Sequence, residues 1–145
     1  MLRFCRPQCR SFAVTRTFGP KDVALFADLV SDHNPLHLDD EVAAESRFGR
    51  RVVHGMLTSS LFSGLIGTNV PGAIYCAQDL KFTAPVFVDE LIQAKVTVSK
   101  LIPSKRMAVL DTQVLKSDGT VAVKGHATVL VPRSVPLDLG RDAEY

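Results

Sequence analysis

The sequence predicts an α+β domain in which an antiparallel sheet curls round one long buried helix. Three observations carry this. From His54 to Gln78 the chain holds no Asp, Glu, Lys or Arg, and Gly55–Asn69 within that stretch reads as one helix. A helix without a charged face has to be covered nearly all round, and this one is too short to cross a bilayer. The segments that follow are rich in Val, Ile, Leu and Thr and are separated by turn residues rather than helices, so they read as an antiparallel run without β-α-β crossovers.

Taken in order, Ala13 to Phe18 alternates weakly and reads as a first strand. Gly19-Pro20 opens a helix, because proline at the first helical position gives up an N–H that would be unpaired anyway. Val23, Phe26, Ala27 and Val30 share one face of it, and Ser31-Asp32-His33-Asn34-Pro35 stops it. Asp39 to Phe48 reads as a short polar helix or lid, followed by Gly49 and the pair Arg50-Arg51. In the long helix, Met56, Leu57, Leu61, Phe62, Leu65 and Ile66 supply bulk, while serines and glycines at the other positions let a sheet approach closely. Strands are expected at Ile74–Phe82, Leu91–Leu101, Met107–Lys116 and Val121–Val131. Between Leu91 and Lys100 the alternation is clean: Ile92, Ala94, Val96 and Val98 point one way, Gln93, Lys95, Thr97 and Ser99 the other. Ser117-Asp118-Gly119-Thr120 is a hairpin turn, since Asp-Gly accepts positive φ cheaply.

The 145 residues correspond to one domain, at roughly 150 residues per domain. The chain divides into a leader at 1–12, the domain at 13–132 and a C-terminal tail at 133–145 that lacks helix or strand pattern and is expected to be loose. Charge is distributed unevenly. Residues 1–21 carry Arg3, Arg6, Arg10, Arg16 and Lys21 and no acid, so the remainder sets 12 of the 17 basic residues against all 15 acids, a net of −3. A mildly acidic body without tryptophan argues against nucleic-acid binding, which needs a basic stripe and stacking aromatics. The Arg-rich, acid-free leader has the composition of a mitochondrial presequence, which places the protein in the matrix. No apolar run is long enough for a membrane helix, so no membrane partner is expected. Cys76 lies in an apolar stretch and is expected to be a buried thiol.

Two segments can carry chemistry. Asp32-His33-Asn34-Pro35-Leu36-His37-Leu38-Asp39 gathers carboxylates, imidazoles and an amide beside apolar residues. Asp32 and His37 are five residues apart across a proline, and a bent loop can aim both into one pocket. The plainer reading is an Asx turn with His37 exposed. The second segment, Val52-Val53-His54-Gly55-Met56, feeds the start of the long helix, where unpaired N–H groups and the dipole suit a developing oxyanion. There Gly55 allows close approach of an acyl group, while the plainer reading has it merely starting the helix over a packed His54. Ser63, two turns on, either lines the same pocket or bonds back to its own helix. A metal site from His33, His37 and Asp39 would need near-neighbours on one small loop to converge, so no metal is expected. The chain has no G-x-S-x-G, no H-E-x-x-H and no Gly-rich nucleotide loop after a strand.

Asp32-His33-Asn34-Pro35-Leu36-His37-Leu38-Asp39, then Ala43 and Phe48, then Val53-His54-Gly55-Met56, together resemble the MaoC-like, or hydratase 2, family, and Phe82-Thr83-Ala84-Pro85-Val86-Phe87 resembles its downstream strand and turn. Ser31 departs from the family, which commonly has glycine before the aspartate. The resemblance implies a hot-dog fold, usually dimeric, acting on acyl thioesters. It puts the catalytic pair on Asp32 and His37, the oxyanion N–H on Gly55, and the (R)-3-hydroxyacyl isomer in the product.

That implies reversible hydration of a 2-enoyl thioester. Asn34 would orient the water or the loop, and Ser63, Leu57, Leu61 and Phe62 are candidates for the acyl slot, with helix core as the other reading of the apolar three. The carrier, coenzyme A or acyl carrier protein, is anionic and part of the substrate, so no separate cofactor is expected; Arg47, Arg50 and Arg51 are candidates to face it. Two alternatives stand: a thioesterase on the same fold, and a non-catalytic acyl-thioester-binding module.

Overall fold

The computed structural model describes residues 11–137, and most of the expected leader, residues 1–10, and residues 138–145 of the expected tail lie outside that range. Six strands and four helices follow in the order β1 (Ser11–Thr17), α1 (Pro20–Val30), α2 (Pro35–Leu38), α3 (Asp40–Glu45), α4 (Gly55–Asn69), β2 (Ile74–Gln78), β3 (Lys81–Phe82), β4 (Leu91–Ile102), β5 (Met107–Lys116) and β6 (Val121–Leu130). All pair antiparallel in one sheet of order β1-β4-β5-β6-β2, with β3 also on β6. The sheet wraps α4, the hot-dog arrangement expected.

The alternation in β4 holds: Ile92, Ala94, Val96 and Val98 are buried and meet Phe62, Leu65 and Ile66 of α4 in one core. The turn after β5 forms with Gly119 at φ 84° and the Asp118 carboxylate accepting from Thr120 N–H at 2.9 Å. Gly19 caps α1, its N–H donating to Asp22 Oδ2 at 2.9 Å.

Several expectations are corrected. The first strand begins earlier than Ala13, with Ser11 and Phe12 paired to Thr97 and Val96. The tail begins ordered, because Arg106 Nη2 donates to the carbonyls of Pro132 and Val135, and Val135 and Leu137 pack on the core. Ile74–Phe82 is two strands: β2 carries an irregularity between Tyr75 and Ala77, and Gln78 Nε2 donates to Asp79 O and Thr112 Oγ1 where the chain turns. Cys76 is exposed, because β2 ends the sheet. Val30, expected on the buried face of α1, is 48% exposed. Most significant, α4 is covered on one side only. Thr58, Ser59, Phe62, Leu65 and Ile66 face the sheet, while Met56, Ser60, Ser63, Gly64 and Gly67 are exposed. One sheet reaches one side of a helix, and the uncharged opposite side of α4 carries small residues instead of a polar face.

Candidate active site

The loop between α1 and α3 is built from caps. Ser31 ends α1 in the left-handed region, φ 59° and ψ 31°, its N–H and that of Asp32 both donating to Ala27 O. That conformation costs an L-residue and is the usual place for glycine, which accounts for the family preference from which Ser31 departs. Asn34 Oδ1 accepts from Leu36 N–H at 3.1 Å and starts the single turn of α2, while Asp39 Oδ1 accepts from Glu41 and Val42 N–H and starts α3. Asn34 therefore orients the loop through its cap. Asp32 Oδ1 accepts from Asn34 N–H at 3.3 Å, so the Asx turn is real and coexists with a carboxylate that is half exposed to the cavity.

Val52 ties this loop to the start of α4. Its N–H donates to Leu36 O at 3.2 Å and its carbonyl accepts from His37 Nδ1 at 2.7 Å. A carbonyl only accepts, so Nδ1 carries the proton and Nε2 is left to exchange one. On the other side Val53 N–H donates to Val86 O and Val88 N–H to Arg51 O, which docks the strand-like Val52 against the Pro85–Phe87 turn.

Asp32, His37 and His54 each place one polar atom within 4.8 Å of the others. The His37 and His54 rings stack at 3.8 Å with 29° between their planes, and His54 Nε2 donates to the Asp32 carbonyl at 3.0 Å. The two hydrogen-bonded nitrogens, His37 Nδ1 and His54 Nε2, serve backbone carbonyls, which leaves His37 Nε2 and the Asp32 carboxylate for other partners. Of the three residues first considered for a metal, only His37 is here: His33 Nε2 pairs with Asp28 at 2.9 Å and Asp39 caps α3. Burial holds the His54 imidazole below its ordinary pKa, with His37 adding to this and the Asp32 carbonyl and carboxylate opposing it.

Two cavities, of about 470 and 530 Å³, share His37, Gly55 and Met56 as a common wall. The larger holds Asp32, His54 and Ser63 with Phe26, Tyr75 and Leu80, and burial pushes the Tyr75 hydroxyl pKa up while it donates to Gln78 Oε1 at 2.6 Å. The other holds Asn34, Arg47 and Phe48 with Phe82, Ala84 and Pro85. Gly55 is the first residue of α4, and helical bonding begins with Leu57 and Thr58 N–H on His54 O, so the Gly55 N–H opens on the shared wall without a helical acceptor. A Cβ there would stand 2.5 Å from Phe82 Cε1, so any residue but glycine requires that ring to move.

The structure thus brings Asp32, His37, Gly55, Asn34 and Ser63 together and leaves other candidates apart. Phe62 is fully buried core, and Leu57 and Leu61 pack against that core, so none of the three lines either cavity. Arg51 is spent on Asp40 at 2.7 Å, Arg50 lies over the Phe87 ring at 4.0 Å, and Arg47 alone of the three lines a cavity. Sequence reasoning missed Tyr75, Gln78 and Phe82, for which spacing offers no signal, and gave His54 only a packing role.

The MaoC like domain family matches residues 7–119. An (R)-specific enoyl-CoA hydratase of Aeromonas caviae is 46% identical over 121 residues, 82% of this chain and 90% of the relative. A mitochondrial 3-hydroxyacyl-(acyl-carrier-protein) dehydratase of Solanum lycopersicum is 42% identical over 122 residues, covering 83% and 74%. The solved (R)-hydratase of A. caviae involved in PHA biosynthesis superposes with a TM-score of 0.83 at 45% identity over 85% of this chain and 95% of that one. With the fold, the Asp32–His37 loop and these relatives in agreement, the chain belongs to the MaoC-like family and, with it, to the hydro-lyases.

Proposed function

We propose that this protein reversibly dehydrates (R)-3-hydroxyacyl thioesters to trans-2-enoyl thioesters in mitochondrial fatty acid synthesis. The observation that carries the reading is the meeting of Asp32 and His37 within 4.8 Å beside the open start of α4. In hydration, water lies between the Asp32 carboxylate and His37 Nε2. Its oxygen bonds C3 as one group takes its proton, the other group gives a proton to C2, and the enolate-like charge that builds on the thioester oxygen is held by Gly55 N–H. Dehydration is the reverse, and no redox change or added cofactor enters. The thioester sits at the wall shared by the cavities, its acyl chain toward Ser63 and its carrier toward Arg47. The carrier is coenzyme A or acyl carrier protein, both anionic, which suits the exposed Arg47 and Arg50.

A homodimer fits the exposed small-residue side of α4 and the edge strand β2, where Ile74 is 59% exposed. The matrix assignment rests on the Arg-rich leader and on the mitochondrial names of the plant relatives. Among the described residues no helix is long and apolar enough to cross a membrane.

The test is incubation with a trans-2-enoyl-CoA, following enoyl absorbance and free thiol. Loss of absorbance without thiol is the expected result. Thiol release would make the protein a thioesterase, and binding without either change would make it a non-catalytic acyl-thioester-binding module.

A further inference from the structure

His54 is a side chain to which the hydration chemistry gives no task. It is 2% exposed, and its Nδ1 is buried with no hydrogen-bond partner. A phenylalanine would fill the space beneath His37 without an orphaned nitrogen, so packing alone does not account for an imidazole here. What the imidazole does contact is the whole reacting apparatus. Its Nε2–H reaches the Asp32 carbonyl at 3.0 Å, its face lies 3.8 Å from the His37 ring, and its own carbonyl accepts the first two helical bonds of α4, directly before Gly55.

We propose that His54 is the positioning residue of the Asp32–His37 pair: through its Nε2–H on the Asp32 carbonyl and its face on the His37 ring, it sets the gap in which water is held. This rests on the hydratase reading. Asp32 follows the left-handed turn at Ser31, and its carboxylate has one backbone contact, the 3.3 Å bond from Asn34 N–H. Without the tether from His54, the loop can rotate about that turn and carry the carboxylate away from His37. The His37 ring is fixed at Nδ1 by Val52 O, and the stacked face of His54 blocks its swing on one side. One residue thus registers base, acid and oxyanion donor against each other, and a misplacement on the order of 1 Å at such a site can cost roughly 10²-fold in rate.

The role requires a neutral ring. The groups around it are the Asp32 carboxylate with Oδ2 at 3.9 Å, the His37 imidazole, and the Phe26 ring of α1 at 5.2 Å. Burial disfavours the charged form, and in the neutral ring the proton on Nε2 leaves Nδ1 with a lone pair and no N–H to satisfy.

The test uses two replacements. His54→Phe keeps the ring face and removes the donor. His54→Gln keeps an N–H near the Nε2 position and removes the ring. Kinetics with trans-2-enoyl-CoA should show His54→Phe losing roughly 10- to 100-fold in kcat with KM little changed and no loss of melting temperature, and His54→Gln recovering part of that loss. Because His54 acts through Asp32, adding His54→Phe to Asp32→Asn should cost little more than Asp32→Asn alone. Imidazole ¹⁵N spectra of the unmodified protein should show His54 protonated at Nε2 and bare at Nδ1. Normal kcat in His54→Phe, multiplicative losses in the double variant, or a His54 protonated at Nδ1 would each overturn the proposal. An unmodified protein inactive on enoyl-CoA would instead overturn the hydratase reading, and the ¹⁵N spectrum would still decide the His54 tether.

Discussion

Gly55→Ala separates the stability of the helix start from its use. The new Cβ would stand 2.5 Å from Phe82 Cε1 and 2.6 Å from Cδ1, well inside contact distance, so the ring has to move. Phe82 is 55% exposed, so the ring can turn outward. Half of the burial worth of a phenylalanine is about 1 kcal/mol, at roughly 1.5–3 kcal/mol for complete burial. Against that, alanine is favoured over glycine in a helix by up to about 1 kcal/mol. The two nearly cancel, and a residue of about 1 kcal/mol moves the melting temperature of a domain this size by roughly 2–4 °C. Activity has no such compensation. The methyl intrudes on the wall common to both cavities, over the N–H assigned to the thioester oxygen, and losing one such donor costs about 10²–10³ in kcat. Melting by circular dichroism and initial rates on trans-2-enoyl-CoA read the two effects on one preparation. A kcat within twofold of the unmodified protein would refute the oxyanion assignment; a fall in kcat matched by collapse of the melting temperature would refute the claim that the ring yields.

Ser31→Gly relieves the left-handed C-cap, and thermal melting should show stabilisation of up to about 1 kcal/mol without change in kcat. Phe62→Ala removes a fully buried ring and should cost about 3–5 kcal/mol in urea unfolding while leaving acyl-chain preference as it was, since Phe62 lines neither cavity. The pKa of His54 is depressed in the folded state, so the unfolded chain takes up its proton first: stability from this group is complete above about pH 6.5 and is lost as pH falls through the folded value. Urea midpoints from pH 8 to pH 5 should therefore fall on the acid side, and His54→Gln should flatten part of that fall.

Hydrophobic period, turn chemistry and local motif made most of the fold legible. The alternation of Ile92 to Val98 and the Asp118-Gly119 turn each state a local rule that the packed molecule obeys, whereas the uncharged run announced the helix α4 but not that one side of it stays open. What was hidden depends on which elements become neighbours. Cys76 looked buried because its stretch is apolar, but β2 lies at the end of the sheet order, which no local pattern encodes. Leu57 and Phe62 were candidates for the slot with core as the safer reading, and the side of α4 that meets the sheet decided for core. That Asp32 and His37 meet beside Gly55 was legible because each of the two segments that carry them is compact in sequence. His54 was not given its place because its partners, Asp32 and His37, reach it only when the loop folds back over the start of α4. Arg51 shows the same limit: its partner Asp40 lies eleven residues away, and nothing in the spacing announces the pair.

The central claim, that Asp32 and His37 act as one unit on one water, is tested most directly by the kinetics of Asp32→Asn, His37→Gln and the double variant on trans-2-enoyl-CoA. Each single replacement should lower kcat by roughly 10²–10⁴ with melting temperature nearly unchanged. Groups that act as a unit are non-additive, so the double variant should be little slower than the slower single. Near-normal kcat in either single variant, or losses that multiply in the double, would contradict the account.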